Sequence, residues 1–222
     1  MQTLIPDYRS CIDQLPEGTT LVVHRTSWDD YERLVEELAE QPKRRVSYEC
    51  GRLEIMTPLS PHERDIRFID ALVLAIAEEL DLQLENLGST TWKSRRLARG
   101  AEPDACYYVA SAARIIGRKS VTIDTDPPPD IVVEIDVTNE SVRKFSIYAA
   151  FGVGEIWHIE DGDTVHFLQL AGGEYRAIPE SASFPGLIPS MLAHALAESR
   201  TAGQTAALKA FRQQWHSRSQ NP

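Results

Sequence analysis

Cysteine is scarce in this chain: Cys11, Cys50 and Cys106 are the only three in 222 residues, and no two form a CxxC pair. An odd, scattered set supplies neither a disulfide framework nor a zinc cluster. Long apolar runs are missing as well. No stretch approaches the ~18 residues of a membrane span. The opening Met-Gln-Thr-Leu-Ile-Pro-Asp-Tyr lacks both the basic n-region and the apolar h-region of an export signal. These absences predict a cytoplasmic protein with no membrane attachment. No GxGxxG and no P-loop occurs, so no nucleotide cofactor is indicated. The histidines form no HxH or HExxH pattern, and no nucleophile elbow supports Ser/His/Asp catalysis.

Positive charge is in deficit, with a formal net charge of −10. That excludes nucleic-acid binding by the surface at large, but not a local basic groove, because phosphate contacts need only a few placed cations. One stretch fits. Lys93, Arg95, Arg96 and Arg99 fall together, and no acid lies between Glu85 and Glu102. The stretch reads equally as a solvated basic loop. A hydrophobic fraction of 42% with 25% charged residues belongs to a globular protein, and the length suits one domain over 1–222.

Ser27-Trp-Asp-Asp opens a helix with a cap and an acid three residues on, and Tyr31, Leu34, Val35 and Leu38 share its buried face. Pro42 should end it. Residues 46–56 read as a hairpin turning near Gly51. Ser60-Pro61-His62-Glu63 starts a second helix, whose Ile66, Ile69, Val73, Ile76 and Leu80 make one apolar stripe. Extended segments near 83–97 and 104–110 follow, and with 131–137 and 155–159 they should form one mixed sheet against that stripe. Pro127-Pro128-Pro129 excludes helix and central strand alike. The next segment, Ile131 to Val137, starts apolar throughout, and its alternation puts Glu134 and Asp136 on one face against Ile131, Val133, Ile135 and Val137. A helix from about 140, capped by Thr138 or Asn139, runs to Gly152. Strands near 164–170 and 174–178 are split by Gly172-Gly173. The C-terminal segment 188–217 is helical and interrupted near Thr201 to Gly203, with Ala207, Leu208, Phe211 and Trp215 on one face.

An acid on a buried strand is costly without compensation. Phosphodiester hydrolysis near neutral pH supplies a reason for one. It calls for a divalent cation held by hard oxygen ligands, typically one or two carboxylates, and a positive group to orient water or steady developing charge. Asp104 at the start of one strand, Glu134 within another and Lys144 in the following helix form such a set. Tyr148, one turn after Lys144, shares its face and suits packing equally.

Here the chain resembles a known family. Glu-Pro-Asp-Ala-Cys-Tyr-Tyr at 102–108, Pro-Asp-Ile-Val-Val-Glu-Ile at 129–135, Lys-Phe-Ser-Ile-Tyr at 144–148 and Gly-Val-Gly-Glu-Ile-Trp at 152–157 are similar to the Uma-type putative restriction endonucleases of the PD-(D/E)XK superfamily. The hairpin and the Ser-Pro-His-Glu start extend the likeness to about 45–160. The resemblance implies an α/β fold, a restriction-endonuclease-like mixed central sheet flanked by helices, with a core at about 45–180 and N- and C-terminal helical additions. It implies a DNA endonuclease, with RNA also open as a substrate. Its cofactor would be Mg2+ or Mn2+, held by Asp104, Glu134 and the backbone carbonyl of Ile135. The superfamily's usual lysine, two residues after the glutamate, is replaced by Asp136, so the resemblance moves that role to Lys144. The segment after Glu134 also departs from the Ser- and Pro-rich family pattern. Asp136 is either a third acidic ligand or a charge partner for Lys144. Glu49 and His62 are candidates for support, and Lys93, Arg95, Arg96 and Arg99 for contact with the phosphate backbone. Duplex cleavage suits a homodimer, with Leu208, Phe211 and Trp215 as candidate contacts or, equally, as a cap on the protein's own core. If Lys144 serves the site, its replacement by alanine should lower cleavage by roughly 10²-fold or more and leave stability within about ±0.5 kcal/mol, as for an ordinary surface change. The alternative is a catalytically silent module that keeps the fold for nucleic-acid binding or assembly.

Overall fold

The computed structural model describes residues 12, 14–38, 44–57, 60–136, 141–160 and 164–219. Eleven strands fall into two sheets. The smaller contains β1 (Thr20–His24), β2 (Arg45–Glu49), β3 (Arg52–Met56), β5 (Trp92–Ser94) and β6 (Arg99–Ala101), in the order β1-β3-β2-β6-β5. The larger contains β4 (Glu85–Asn86), β7 (Ala105–Tyr108), β8 (Ile131–Asp136), β9 (Glu155–Glu160), β10 (Thr164–Ala171) and β11 (Glu174–Ile178), in the order β11-β10-β9-β8-β7-β4. It is mixed: β8 and β9 run parallel, and its other pairings are antiparallel.

The segment at 83–97 therefore does not join one sheet, as its continuity suggested. β4 pairs with β7, whereas β5 pairs with β6 in the smaller sheet. Between them Gly88 adopts a positive φ of 57°. A turn there re-aims the chain, and a polar stretch this short carries too little apolar pattern to reveal the switch.

The smaller sheet is built on the hairpin. Cys50 (φ 46°) and Gly51 (φ 93°) make its two-residue turn with both residues left-handed, the geometry that matches strand twist. Helix α1 (Trp28–Leu38) covers this sheet with Tyr31, Leu34 and Leu38 against Val46, Tyr48, Leu53 and Ile55. Its cap is as expected: the Asp30 amide donates to Ser27 Oγ at 3.1 Å, and Ser27 Oγ donates to the Asp30 carboxylate at 2.6 Å. Packing of α1 is close enough that Gly100 must be glycine, since a Cβ there would lie 2.0 Å from the Tyr31 hydroxyl. Pro42 lies outside the described residues, as do Val137, Thr138 and Asn139.

Helix α2 (Ser60–Glu79) buries its stripe on one face of the larger sheet, where Ile66, Ile69, Val73 and Ile76 meet Ala105, Tyr107, Ile131, Val133 and Ile135. Helices α5 (Pro189–Thr201) and α6 (Gln204–Ser219) complete this layer, broken at Gly203 (φ 90°). Phe211 and Trp215 stack within that core and Leu208 packs against it, so they cover the protein's own sheet rather than waiting for a second copy. The bare helix pattern could not distinguish the two. On the opposite face of the sheet lie Val132, Cys106, Tyr108 and Ile156, covered by α4 (Phe145–Phe151) through Ile147, Tyr148 and Phe151. A short helix, α3 (Ala112–Ile115), leads into the triple-proline connection. Asp130 pins the end of that connection by accepting from the Val109 and Ser111 amides at 2.7 and 2.9 Å.

Candidate active site

The chain crosses from the smaller sheet to the larger at Glu102-Pro103-Asp104, between β6 and β7. Asp104 thus enters the larger sheet at a seam, beside β8. Ala105 pairs with Val133, and Asp104 stands at the end of that antiparallel pairing, beside the Val133–Ile135 stretch of β8. Two hydrogen bonds fix it there. The Asp104 amide donates to the Val133 carbonyl at 3.1 Å, and the Ile135 amide donates to Asp104 Oδ2 at 2.8 Å. The Asp104 carboxylate is thereby held on the amide that follows Glu134, near enough for its charge to act on the Glu134 carboxyl.

Glu134 has no exposed surface. Alternation along β8 turns it away from α2 and toward α4, where its two oxygens are met separately. Lys144 Nζ donates to Oε2 at 2.7 Å, and the Tyr148 hydroxyl makes a very short bond to Oε1. Burial, together with neighbouring Asp104, pushes the Glu134 carboxyl up to about 7, with Lys144 and Tyr148 acting the other way. Tyr148 stays a phenol, since burial and then Glu134 hold its pKa well above the usual value.

Lys144 is the last residue of a 3-10 turn, Ser141–Lys144, and caps α4. It is 6% exposed, so it is not the ordinary surface lysine on which a near-neutral replacement by alanine was expected. Burial alone would lower its pKa, but Glu134 and Asp104 outweigh that and the net shift is upward. The ammonium is therefore charged at neutral pH. It also donates to the Glu102 carbonyl at 3.3 Å.

Asp136 turns the same way as Glu134, but its partner is His158 of β9, Nε2 to Oδ2 at 2.8 Å. His158 Nδ1 lies 3.3 Å from Glu160, and the ring is edge-on to Phe145. Asp136 thus shares a hydrogen bond with His158, and its charge also acts on Lys144. His158 and His166 are cross-strand neighbours on the consecutive strands β9 and β10. Glu49 supports the site from a distance: it accepts from Arg99 Nε at 2.9 Å and from Ser146 of α4 at 3.1 Å, tying the hairpin to the helix of Lys144 and Tyr148. His62 begins α2, and its side chain lies outside the described residues.

The basic stretch at 93–99 is not a bare cationic surface. Lys93 faces Glu32 at 3.4 Å, Arg95 pairs with Asp29 at 2.7 Å and with Glu32, Arg96 is 4.0 Å from Asp124, and Arg99 is on Glu49. Each cation has an acid from another part of the chain.

Sequence reasoning missed Arg45 and Glu102. Arg45 is buried on β2, with Nη1 on Glu102 Oε1 at 2.7 Å and Nε 3.6 Å from Asp104 Oδ1. Burial raises the Glu102 pKa, although Arg45 and Thr91 act against it. In the sequence Arg45 ends Lys43-Arg44-Arg45, a run that looks like a solvated turn. A cleft lined by Thr20, Arg45, Val46, Ser47, Glu54, Met56 and Lys144 opens this region from the smaller-sheet side.

Residues 28–197 match the model of the Uma2 family, described as "putative restriction endonuclease". The chain belongs to the Uma2 family. Its fold is also similar to a solved structure from Anabaena variabilis described as a "putative nuclease belonging to DUF820". The TM-score is 0.50 and the identity 13%, over 73% of this chain and 90% of that one. No curated protein matches this Uma2 chain. No helix among its described residues is long and apolar enough to cross a membrane.

Proposed function

We propose that this Uma2 protein is a metal-dependent DNA endonuclease whose centre is Asp104, Glu134 and Lys144. One observation carries the reading: Glu134 is fully buried on β8 with a buried ammonium at 2.7 Å, and the Asp104 carboxylate is bonded to the next amide of that strand at 2.8 Å. Structural ion pairs rarely need a second acid at that point.

The donor set fits Mg2+ or Mn2+. Among the described residues no group of three or more His, Cys, Asp or Glu could hold a metal; a hard divalent cation takes one or two carboxylates and is completed by water and phosphate. Asp104, Glu134 and the Ile135 carbonyl would hold it. Each carboxylate oxygen that accepts one hydrogen bond keeps a second acceptor site. A bound ion would acidify water and neutralise charge on the phosphate. The chain's own groups do the rest. Lys144 donates toward Glu134 and the seam, where it can orient a water or steady a developing oxyanion. Tyr148 fixes the Glu134 rotamer, and Glu49 holds α4 against the hairpin. A homodimer would place two such sites on two strands, through a surface other than Leu208, Phe211 and Trp215.

The test is cleavage of DNA and RNA substrates with Mn2+, beside Glu134→Gln. Metal-dependent DNA cleavage absent from the variant is expected. A folded wild type that binds Mn2+ and cleaves neither substrate would leave the fold serving binding or assembly.

A further inference from the structure

The mechanism above leaves Arg45 unused, although it is as buried as Lys144. Its relative exposure is 7%, and its guanidinium is held unevenly. Nη1 makes a firm bond to Glu102 Oε1 at 2.7 Å. Nη2 makes only a long contact of 3.5 Å to Glu63, a side chain 53% exposed. Nε is buried and has no hydrogen-bond partner, since Asp104 Oδ1 at 3.6 Å is too far to accept its proton.

A buried charged N–H without an acceptor is costly and uncommon, so such a group points to something that completes it. The unsatisfied side is the Nε/Nη2 edge, which presents two parallel N–H groups. That fork matches two oxygens of a carboxylate or phosphate. No described carboxylate occupies it in that way, and it sits beside Asp104 on the wall of the cleft that Arg45 shares with Lys144. The two cations are also linked. Glu102 anchors Arg45 through its side chain and Lys144 through its carbonyl at 3.3 Å, and Thr91 braces the Glu102 carboxylate at 3.2 Å.

We propose that Arg45 is a second phosphate-contacting cation of this site, its Nε/Nη2 edge taking two non-bridging oxygens of the scissile phosphodiester. The assignment rests on the nuclease reading. Glu63 leaves the edge when the phosphate arrives, because its contact is long and its carboxylate can return to water. Glu102 stays and holds the guanidinium plane in place.

The test measures duplex cleavage with Mn2+ and the unfolding midpoint for wild type, Arg45→Lys, Arg45→Ala and Glu63→Gln, all in the full chain. Arg45→Lys keeps a charge near Glu102 but loses the fork. Its kcat is expected to fall by roughly 10²-fold, the scale of removing one positioned donor to the transition state, with KM changed less and the fold intact. Added guanidinium should restore part of the activity of Arg45→Ala, where equal sodium or urea should not. Glu63→Gln should cleave at least as fast as wild type. A folded Arg45→Lys with wild-type kcat and KM overturns the proposal and leaves Arg45 as a neutraliser of acids. Should Arg45→Ala fail to fold, Arg45→Lys decides. A wild type that cleaves nothing defeats the nuclease reading and this one together, whereas cleavage unaffected in Arg45→Lys defeats this one alone.

Discussion

Lys144–Glu134 and Arg95–Asp29 are both ion pairs of 2.7 Å, yet the first has side chains 8% and 0% exposed and the second 61% and 71%. At equal distance, surroundings decide what each pair is worth. Water screens the outer pair, which must also hold two long side chains still. The inner pair has lost its water, so each charge depends on the other and on Tyr148. The difference separates two readings of charge in this chain. Clustered cations in the sequence met acids in space and became a neutral belt. Isolated acids and one lysine met at a seam and became a site.

The comparison breaks most sharply if one inner partner is removed. Lys144→Ala leaves a fully buried carboxylate facing Asp104, and should cost about 3–5 kcal/mol of stability, the scale for an uncompensated buried charge. Urea unfolding at pH 8 measures it. Adding Glu134→Gln to Lys144→Ala should recover much of the loss, because the stranded charge is gone. A single variant within 1 kcal/mol of wild type would show that water reaches the pair. Cleavage should fall by about 10²-fold in Lys144→Ala whatever the stability, as long as the protein stays folded.

Metal binding tests the same region from the other carboxylate. Asp104→Asn keeps the shape and still accepts a hydrogen bond from the Ile135 amide. It should weaken Mn2+ binding by roughly 10-fold or more, since even the partners of metal ligands are typically worth 10–100-fold. Calorimetry giving equal affinities would remove Asp104 from the metal site.

A smaller effect sets the two regions apart by pH. Glu134 is raised to about 7 in the folded chain, mainly by burial, from an ordinary value of 4.5. The folded state therefore holds a proton that the unfolded state has released between those values. This contribution to stability is fully present below about 4.5 and is lost as pH rises through about 7. Without metal, wild type should lose stability relative to Glu134→Gln from pH 5 to pH 8. Parallel stability curves over that range would mean that Lys144 holds Glu134 ionised throughout.

Much of this was legible in the sequence, for identifiable reasons. β8 could be read because its inward residues repeat every second position, which left Glu134 and Asp136 conspicuous. The hairpin was legible from Gly51, and the break between the last helices from Gly203. Lys144 could be paired with Glu134 by family resemblance, but its burial could not be read, because a lysine in an amphipathic turn looks alike on either side. Arg45 and Glu102 were hidden for a related reason. They meet across 57 residues, Arg45 from β2 and Glu102 from the crossing after β6, and no local pattern encodes that. His158 looks solitary in the sequence, since its partner, Asp136, comes from the neighbouring parallel strand.

The smallest effect is expected in the belt at 93–99, and it tests whether its acids really neutralise it. Arg95 lies over Trp28 at 5.8 Å and reaches Asp29 and Glu32, so its charge is locally cancelled. Arg95→Ala should leave the unfolding midpoint unchanged. It should also leave DNA affinity, and the dependence of that affinity on salt, as they are in wild type. Salt dependence is the sharper readout, because each phosphate neutralised on duplex DNA contributes a slope of about 0.9 in log affinity against log salt. A cation already paired with two carboxylates releases few counterions from DNA, since it must first leave its acids. Arg45→Lys, by contrast, should lower kcat without changing that slope, because the charge remains. If Arg95→Ala reduces the slope by nearly a full contact, the acids yield to phosphate, the loop is a DNA-binding surface, and the contrast between the two kinds of ion pair fails at its outer member.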